Sequence, residues 1–416
     1  MKPSDQLYEK ALRLIPWGTQ TNAKRPIPFF GETQPKFIER GKGCRLWDME
    51  GKEYIDFRLA LGPVTLGYCY DEVDDAVRAQ MQKGVLFSMA SPLEAELAEL
   101  ITQIVPNAEM CRFMKTGEDA NLSNIRIARA ATKREMILMS GYHGYPDWFA
   151  TEDSPNNGVP EFMKDYVKVI PWGDCEEAER LVKLYGDRIA CIIATPYDFN
   201  STDTSGAYIR MLRALTREHG ILLVMDEVLT GFRLALGGAQ EFFGVDADLA
   251  SYAKAVANGY PLSTYVGKRE YMQSLDRFKM TTTYAGETLS IAAAIATLTI
   301  MKREPVHEHI GTMGRLLMSR FDEIARECGV EGKAAGLPCG SWLLFATPDA
   351  AYNARLDYLW QRELYREGVF TNSRWFISYS HRQSDIDEAA EKARTALRRA
   401  LDCEVKERGS VTPFYY

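Results

Sequence analysis

Two side chains in the middle of the chain, Asp226 and Lys254, are of types that could do covalent chemistry. Asp226 ends the apolar run Ile221–Met225, and Lys254 follows the run 248–253. Such runs are typical of strands buried on both faces, and open α/β sheets bind ligands at the carboxyl ends of their strands. There, an amine with a lowered pKa can act as a nucleophile and carry a proton. Alternatively, Asp226 could cap the following helix and Lys254 could be a solvated surface residue.

A glycine turn at 115–120 could bind an anion. It follows the predicted strand 111–114 and precedes a run with the apolar spacing of a helix. Free backbone N–H groups and the helix dipole converge on an anion at such a helix start. Many α/β turns contain glycine, so the turn alone does not identify a ligand.

The composition of the 416 residues is that of an ordinary globular protein. The net charge is −7 and the charged residues of both signs are interspersed along the chain, so nothing indicates binding to nucleic acid or to an anionic membrane. No run reaches the ~18 apolar residues of a membrane helix, and the N-terminus lacks the apolar core of a signal peptide. The eight cysteines include no CxxC pair, which is typical of reduced thiols and predicts a cytoplasmic protein. His307 and His309 have no third ligand nearby, so we expect no metal site.

Strands and helices alternate through the middle of the chain. Strands are predicted at 111–114, 136–140, 188–194, 221–225 and 248–253, with helices at 174–185 and 208–219 among them. This alternation predicts an α/β fold with a mostly parallel central sheet flanked by helices, plus a small α+β domain built from both termini. The expected domain limits are 1–64, 65–295 and 296–416.

Two stretches, Met225–Arg233 and Gly238–Val245, resemble the class III pyridoxal-phosphate aminotransferases, and the resemblance runs from about residue 10 to about residue 395. Within that family the sequence is similar to glutamate-1-semialdehyde 2,1-aminomutase and to sugar and aminoglycoside aminotransferases. The resemblance implies the fold of type I pyridoxal-phosphate transferases, with pyridoxal 5'-phosphate as the cofactor. It also implies that Lys254 forms the Schiff base with the cofactor aldehyde. Asp226 would pair with the pyridinium nitrogen, whose proton makes the ring an electron sink.

The resemblance assigns the glycine turn to the cofactor phosphate, with Thr116, Gly117 and Glu118 as its ligands. The family has Ser-Gly-Thr at this place, so this chain loses one hydroxyl group and gains a carboxylate. We therefore expect Glu118 to offer only its backbone N–H. Thr283 aligns with a threonine that the neighbouring subunit gives to the phosphate, which implies a homodimer with shared active sites.

Three further residues, Tyr142, His143 and Val228, are implied to contact the cofactor. Tyr142 stands where the family places an aromatic ring on the pyridine ring, a reasonable use of offset stacking. Without the resemblance, Tyr142 would be interpreted as a core residue at the end of a strand.

Four residues are predicted to contact the substrates: Trp17, Lys24, Arg25 and Thr195. Lys24 aligns with an arginine that binds the substrate carboxylate in the aminomutases, and Thr195 aligns with a glutamate on the substrate side. The polar loop 150–160 is shorter than the lid of the aminomutases. Lys24 and Arg25 could also belong to a solvated loop with two charges.

The expected function is transfer of an amino group from an amino-acid donor, glutamate, to an aldehyde or ketone on a sugar-like acceptor. Both partners are small molecules. The alternative is an aminomutase, an isomerase that uses the same residues. Lys24, Thr195 and the short loop favour a transferase, because a long lid helps a mutase retain its intermediate. A third hypothesis, a non-catalytic cofactor-binding relative, conflicts with the presence of both Lys254 and Asp226.

Overall fold

A seven-stranded sheet organises the central part of the chain, and two smaller sheets organise the parts near the termini. The computed structural model describes residues 2–152 and 157–406. Contacts divide the chain into a central unit, Gly62–Thr65 with Asp71–His307, and a terminal unit that contains the remaining residues. The domain limits expected from the sequence stay a prediction.

The secondary-structure elements are numbered in chain order. The strands are β1 (Ile38–Lys42), β2 (Arg45–Asp48), β3 (Glu53–Asp56), β4 (Met110–Met114), β5 (Met136–Ser140), β6 (Val167–Val169), β7 (Ile189–Ala194), β8 (Leu222–Glu227), β9 (Leu249–Tyr252), β10 (Ser263–Gly267), β11 (Gly332–Leu337), β12 (Gly340–Phe345), β13 (Val369–Phe370) and β14 (Trp375–Phe376). The helices are α1 (Pro3–Leu14), α2 (Asp71–Met81), α3 (Pro92–Ile104), α4 (Gly117–Thr132), α5 (Cys175–Tyr185), α6 (Ala207–Glu218), α7 (Ala239–Phe243), α8 (Arg269–Met272), α9 (Thr288–Arg303), α10 (Val306–Cys328), α11 (Ala350–Glu367) and α12 (Gln383–Lys406).

The central sheet has the strand order β4-β10-β9-β8-β7-β5-β6. The five strands from β9 to β6 run parallel, whereas β10 pairs antiparallel with both β4 and β9. Every residue of β5, β7 and β8 is buried, as expected for parallel strands that are covered on both faces. The predicted α/β fold with a mostly parallel sheet is therefore confirmed.

Helix α4 packs its apolar face against the central sheet. Its Ile125 and Ala128 share a buried cluster with Ile193 of β7 and Val224 of β8. Full burial of one isoleucine side chain stabilises a fold by roughly 1.5–3 kcal/mol. The helix begins at Gly117, earlier than the apolar spacing indicates, because Thr116 caps it. Packing thus fixes the position of the glycine turn relative to the strand ends.

In the terminal unit, β1, β2 and β3 pair antiparallel, and β13 joins β3 in parallel. A second sheet has the order β11-β12-β14 and is antiparallel throughout. Trp360 of α11 and Trp375 of β14 stack with ring centroids 5.9 Å apart, and Phe321 of α10 contacts Trp375 edge to face. These antiparallel strands and helices form the α+β part that the predicted fold class includes.

Within residues 2–152 and 157–406, no helix is long and apolar enough to cross a membrane. In the same residues, no three His, Cys, Asp or Glu side chains converge in a way that could hold a metal ion. All eight cysteines are free.

Candidate active site

A cavity of about 620 Å³ lies at the carboxyl ends of the parallel strands in the central unit. Its walls come from the segments that follow β5, β7, β8 and β9 and from the start of α4. Asp226, Lys254, Gly117 and Tyr142 all line it. Its volume lies within the ~300–1,000 Å³ that is usual for small-molecule sites.

Asp226 is a buried carboxylate with a fixed orientation at the end of β8. Its Oδ2 accepts a hydrogen bond from Asn121 Nδ2 at 2.8 Å and lies 2.7 Å from His143 Nδ1. Its Oδ1 accepts the backbone N–H of Val228 at 3.0 Å. Because a carboxylate only accepts hydrogen bonds, Nδ1 of His143 must carry the proton of this contact. Three donors thus stabilise a negative charge that is only 4% exposed.

Glu227, the second carboxylate of the pair, has a structural role. Successive side chains of a strand point to opposite faces, so Glu227 turns away from Asp226. Its carboxylate accepts the backbone N–H groups of Ala239 and Gln240 at the start of α7 and the hydroxyl of Thr230. Full burial raises the pKa of Glu227 to about 7.

Asn121 and His143 each present a second polar atom that is buried at this site. Among the residues that the structure describes, neither Asn121 Oδ1 nor His143 Nε2 has a hydrogen-bond partner. Both residues line the cavity, and their exposed fractions are 1% and 3%. Buried polar atoms without partners are rare in folded proteins and call for an explanation such as a ligand.

Lys254 follows β9 directly and opens a short 3-10 turn, Lys254–Ala257. Burial lowers the pKa of Lys254, and the positive charge of Arg233 lowers it further. The negative charges of Asp226 and Glu118 act in the opposite direction and raise it. A lowered pKa increases the fraction of neutral amine, which is the nucleophilic form.

The start of α4 presents free backbone donors to the cavity. Thr116 caps the helix, because its Oγ1 accepts the N–H of Asp119 and its own N–H donates to Asp119 Oδ2. In the described part of the chain, the N–H groups of Gly117 and Glu118 donate no hydrogen bond. A Cβ atom on Gly117 would lie 2.7 Å from Val228 Cγ2, so only glycine fits there. This helix end is suited to an anion.

The loop that carries Tyr142 is held close to its neighbours by two glycines. A Cβ atom on Gly141 would come within 2.2 Å of Thr195 Oγ1, and one on Gly144 would come within 2.5 Å of Glu118 Cβ. Both glycines also have positive φ angles, of 102° and 113°, which other residues rarely adopt. Tyr142 itself is 77% exposed at the cavity.

Comparison with known proteins places the chain in a family. A sequence profile described as aminotransferase class-III matches residues 30–337. The chain belongs to the class III aminotransferases. It is an enzyme of this class, and its cofactor is pyridoxal 5'-phosphate.

This class III aminotransferase has close relatives with two kinds of activity. It is 33% identical over 402 residues to the 3-aminobutyryl-CoA aminotransferase of Cloacimonas acidaminovorans, and the alignment covers 95% of this chain and 96% of that protein. It is also 33% identical over 428 residues to the glutamate-1-semialdehyde 2,1-aminomutase of Sulfurihydrogenibium azorense, and this alignment covers 95% of this chain and 98% of that protein. The solved PLP internal aldimine form of the FumI protein from Sphingopyxis sp. MTA144 matches with a TM-score of 0.88 at 28% identity, over 99% and 98% of the two chains. The predicted family is therefore confirmed.

The residues of the cavity fit pyridoxal 5'-phosphate. The free N–H groups of Gly117 and Glu118 suit the phosphate, and the buried carboxylate of Asp226 suits a protonated ring nitrogen. Lys254 supplies an amine in the same cavity. The unpartnered Oδ1 of Asn121 and Nε2 of His143 provide further polar atoms for a bound group.

Four other predicted site residues are not among those that line this cavity. Trp17, Lys24 and Arg25 belong to the terminal unit, where Trp17 is 49% exposed and Lys24 ends a 3-10 turn. Thr283 lies in an exposed turn before α9. Of the predicted loop 150–160, residues 153–156 lie outside the described residues. The roles of all these residues stay predictions.

Sequence reasoning missed Asn121 and the segment Tyr197–Asn200 as parts of the cavity. Asn121 lies four residues after Gly117, so both face the same side of α4. A polar residue at this spacing was only a partial signal, because Ser123 and Asn124 of the same helix are also polar and buried. The segment Tyr197–Asn200 offered no such signal, since only the fold brings it beside the other strand ends.

Proposed function

We propose that this class III aminotransferase moves an amino group from glutamate to an aldehyde or ketone on a polar, sugar-like acceptor. The observation that carries this function is that Lys254, Asp226 and the free N–H groups of α4 meet in one cavity. When bound, pyridoxal phosphate supplies an aldehyde that captures an amine and a ring that accepts the electron pair left by a departing substrate proton.

Lys254 acts as nucleophile and proton carrier in this proposal. Its lowered pKa supports both roles, because the neutral amine attacks a carbonyl carbon and accepts a proton. With the cofactor bound, Nζ of Lys254 would hold its aldehyde group until an amino donor arrives. The same amine would then accept the α proton of the donor and return it during the transfer.

Asp226 would keep the ring nitrogen of the bound cofactor protonated, and Asn121 and His143 position the carboxylate of Asp226. Both neighbours contact Oδ2, whereas Oδ1 has a single donor, the N–H of Val228. The carboxylate therefore cannot rotate without losing buried hydrogen bonds. Thr116, Gly117 and Glu118 would hold the phosphate at the start of α4, and Tyr142 would provide an aromatic face for the ring.

The choice of substrates rests on three departures from the aminomutases. Lys24, with Arg25 beside it, binds the donor carboxylate, and a flexible lysine can release it more readily than a bidentate arginine. Thr195 replaces a larger glutamate and leaves room for a bulkier acceptor. The stretch 150–160 is shorter in sequence than the lid of the aminomutases, which also favours a bulkier acceptor. Trp17 completes the predicted substrate contacts.

We also propose a homodimer in which Thr283 of one subunit contacts the phosphate in the other. Exposed apolar side chains in the two segments 85–89 and 283–288 support this, namely Phe87, Met89 and Tyr284, which are 47%, 83% and 59% exposed. The backbone contact between Val85 O and the N–H of Thr288 brings these segments together. Light scattering of the cofactor-loaded enzyme should give the mass of a dimer, and an active monomer would contradict this.

A second candidate function is the isomerisation of glutamate-1-semialdehyde, which the 33% identity to the aminomutase of Sulfurihydrogenibium azorense favours. The two functions differ in whether nitrogen leaves the donor molecule. A panel of amino donors tested against keto acids, sugar aldehydes and glutamate-1-semialdehyde separates them. Reoxidation of the aminated cofactor by a sugar aldehyde or ketone supports the transferase.

A further inference from the structure

The segment that follows β7 forms one wall of the cavity and presents a carboxylate there. Tyr197 and Phe199 are buried and contact each other edge to face, with ring centroids 4.9 Å apart. Asp198, between them, is half-buried and lines the cavity together with Thr195 and Asn200. The two anchored rings thus hold the backbone on either side of Asp198.

The carboxylate of Asp198 is oriented by its own loop and keeps one oxygen available. Oδ1 accepts the backbone N–H of Asn200 at 2.9 Å and the side-chain Nδ2 of the same residue at 2.9 Å. Oδ2 accepts no hydrogen bond from any residue that the structure describes. An oriented carboxylate with a free oxygen is a ready acceptor for a hydroxyl or ammonium group of a ligand.

The charges around the cavity leave Asp198 without a cationic partner. Two lysines line the cavity. Lys115 forms an ion pair with Glu287 at 2.9 Å, and the charges that raise the pKa of Lys254 are those of Asp226 and Glu118. Asp198 forms no ion pair within residues 2–152 and 157–406. A second carboxylate placed here would be repelled, whereas an ammonium or hydroxyl group would be attracted.

We propose that Asp198 determines acceptor specificity by binding a hydroxyl or ammonium group at the end of the acceptor remote from the reacting carbonyl. This role presupposes the proposed transamination and names its acceptor class: polyhydroxylated or amino-bearing aldehydes and ketones. The neighbouring aromatic side chains suit the apolar faces of such molecules, since ligand sites commonly combine aromatic walls with a few oriented polar groups.

The test compares binding of four amines of similar length to the cofactor-loaded enzyme. Putrescine, aminobutanol and pentylamine end in an ammonium, a hydroxyl and a methyl group, and aminovalerate ends in a carboxylate. Titration of the cofactor's visible absorption gives each affinity without any need for turnover. We expect the wild type to bind putrescine and aminobutanol about tenfold more tightly than pentylamine and aminovalerate, a modest difference in binding free energy.

The variant Asp198→Asn should lose that preference for putrescine and bind aminovalerate more tightly, because the amide keeps the turn but not the charge. Asp203→Asn is the matched control, since Asp203 is an exposed carboxylate in the same connection and accepts the N–H of Ser205. Unchanged affinities in Asp198→Asn, or a wild type that prefers aminovalerate, would overturn the role of Asp198. The glutamate half-reaction, measured separately, tests the proposed function, because its failure would leave the ranking of the four amines intact.

Discussion

Asn121 Nδ2 lies 2.8 Å from Asp226 Oδ2 and joins the second turn of α4 to the end of β8. The same helix offers the N–H groups of Gly117 and Glu118 at its start. One rigid element therefore sets the distance between the anion site and the carboxylate. A cofactor that carries a phosphate and a basic ring nitrogen needs that distance to be fixed.

Replacing Asn121 by alanine should lower kcat while the enzyme still folds and binds its cofactor. The lost contact is a hydrogen bond to a buried charge, which contributes roughly 1.5–3 kcal/mol. If it acts in the transition state, kcat falls by about 10- to 100-fold, at ~1.4 kcal/mol for each factor of ten. Steady-state kinetics and the cofactor content of the purified variant measure both effects.

Asn124→Ala is the matched control for Asn121→Ala. Asn124 is buried on the same helix, but its Nδ2 donates to Ser251 Oγ and not to Asp226. We expect a loss of thermal stability with little change in kcat. If both variants lose activity to the same extent, Asn121 acts through general stability and does not position Asp226.

Replacing Asp226 by asparagine should reduce kcat by about a thousandfold, equivalent to ~4 kcal/mol of activation free energy. An amide cannot hold a proton on the ring nitrogen, and the charge-assisted hydrogen bond is lost. Stopped-flow measurement of the glutamate half-reaction isolates this step. A variant that stays within about tenfold of the wild-type rate would remove Asp226 from this role.

The parallel sheet and the positions of Asp226, Lys254 and Gly117 could be predicted because each depends on local sequence. Apolar runs such as that of β8 specify buried strands, and the site residues follow where the runs end. The contacts of His143 and Asn121 with Asp226 could not be predicted, since they join residues 83 and 105 positions apart in the chain.

Lys254→Ala should fold and retain cofactor through the phosphate and ring contacts, but it should not complete turnover. The substituted side chain leaves no amine to move the proton. Lys302→Ala, at an exposed lysine of α9, should keep full activity. Borohydride reduction followed by peptide mapping should place the cofactor on Lys254 in the wild type. Label on another lysine would show that Lys254 is not the nucleophile.

Glu118→Gln should shift the capture of aldehydes by Lys254 to lower pH. The charge of Glu118 raises the pKa of Lys254 against the lowering effect of burial. Without that charge the pKa falls, so the neutral amine is available at lower pH. Pyridoxal, which lacks the phosphate, is a suitable probe of the cofactor-free enzyme because it does not engage the start of α4.

The control for Glu118→Gln is Glu96→Gln, at an exposed position on α3. It should leave the pH midpoint of pyridoxal capture unchanged. A midpoint that stays the same or rises in Glu118→Gln would show that the carboxylate of Glu118 does not act on Lys254.

Transfer of labelled nitrogen from glutamate tests the central claim most directly. The enzyme is incubated with isotopically labelled glutamate and a panel of sugar aldehydes and ketones, and the products are analysed by mass spectrometry. We predict that the label appears in an aminated acceptor and that one molecule of 2-oxoglutarate is released for each nitrogen transferred. If no acceptor takes up the label and glutamate-1-semialdehyde alone is isomerised, the enzyme is an aminomutase and the proposed transfer is wrong.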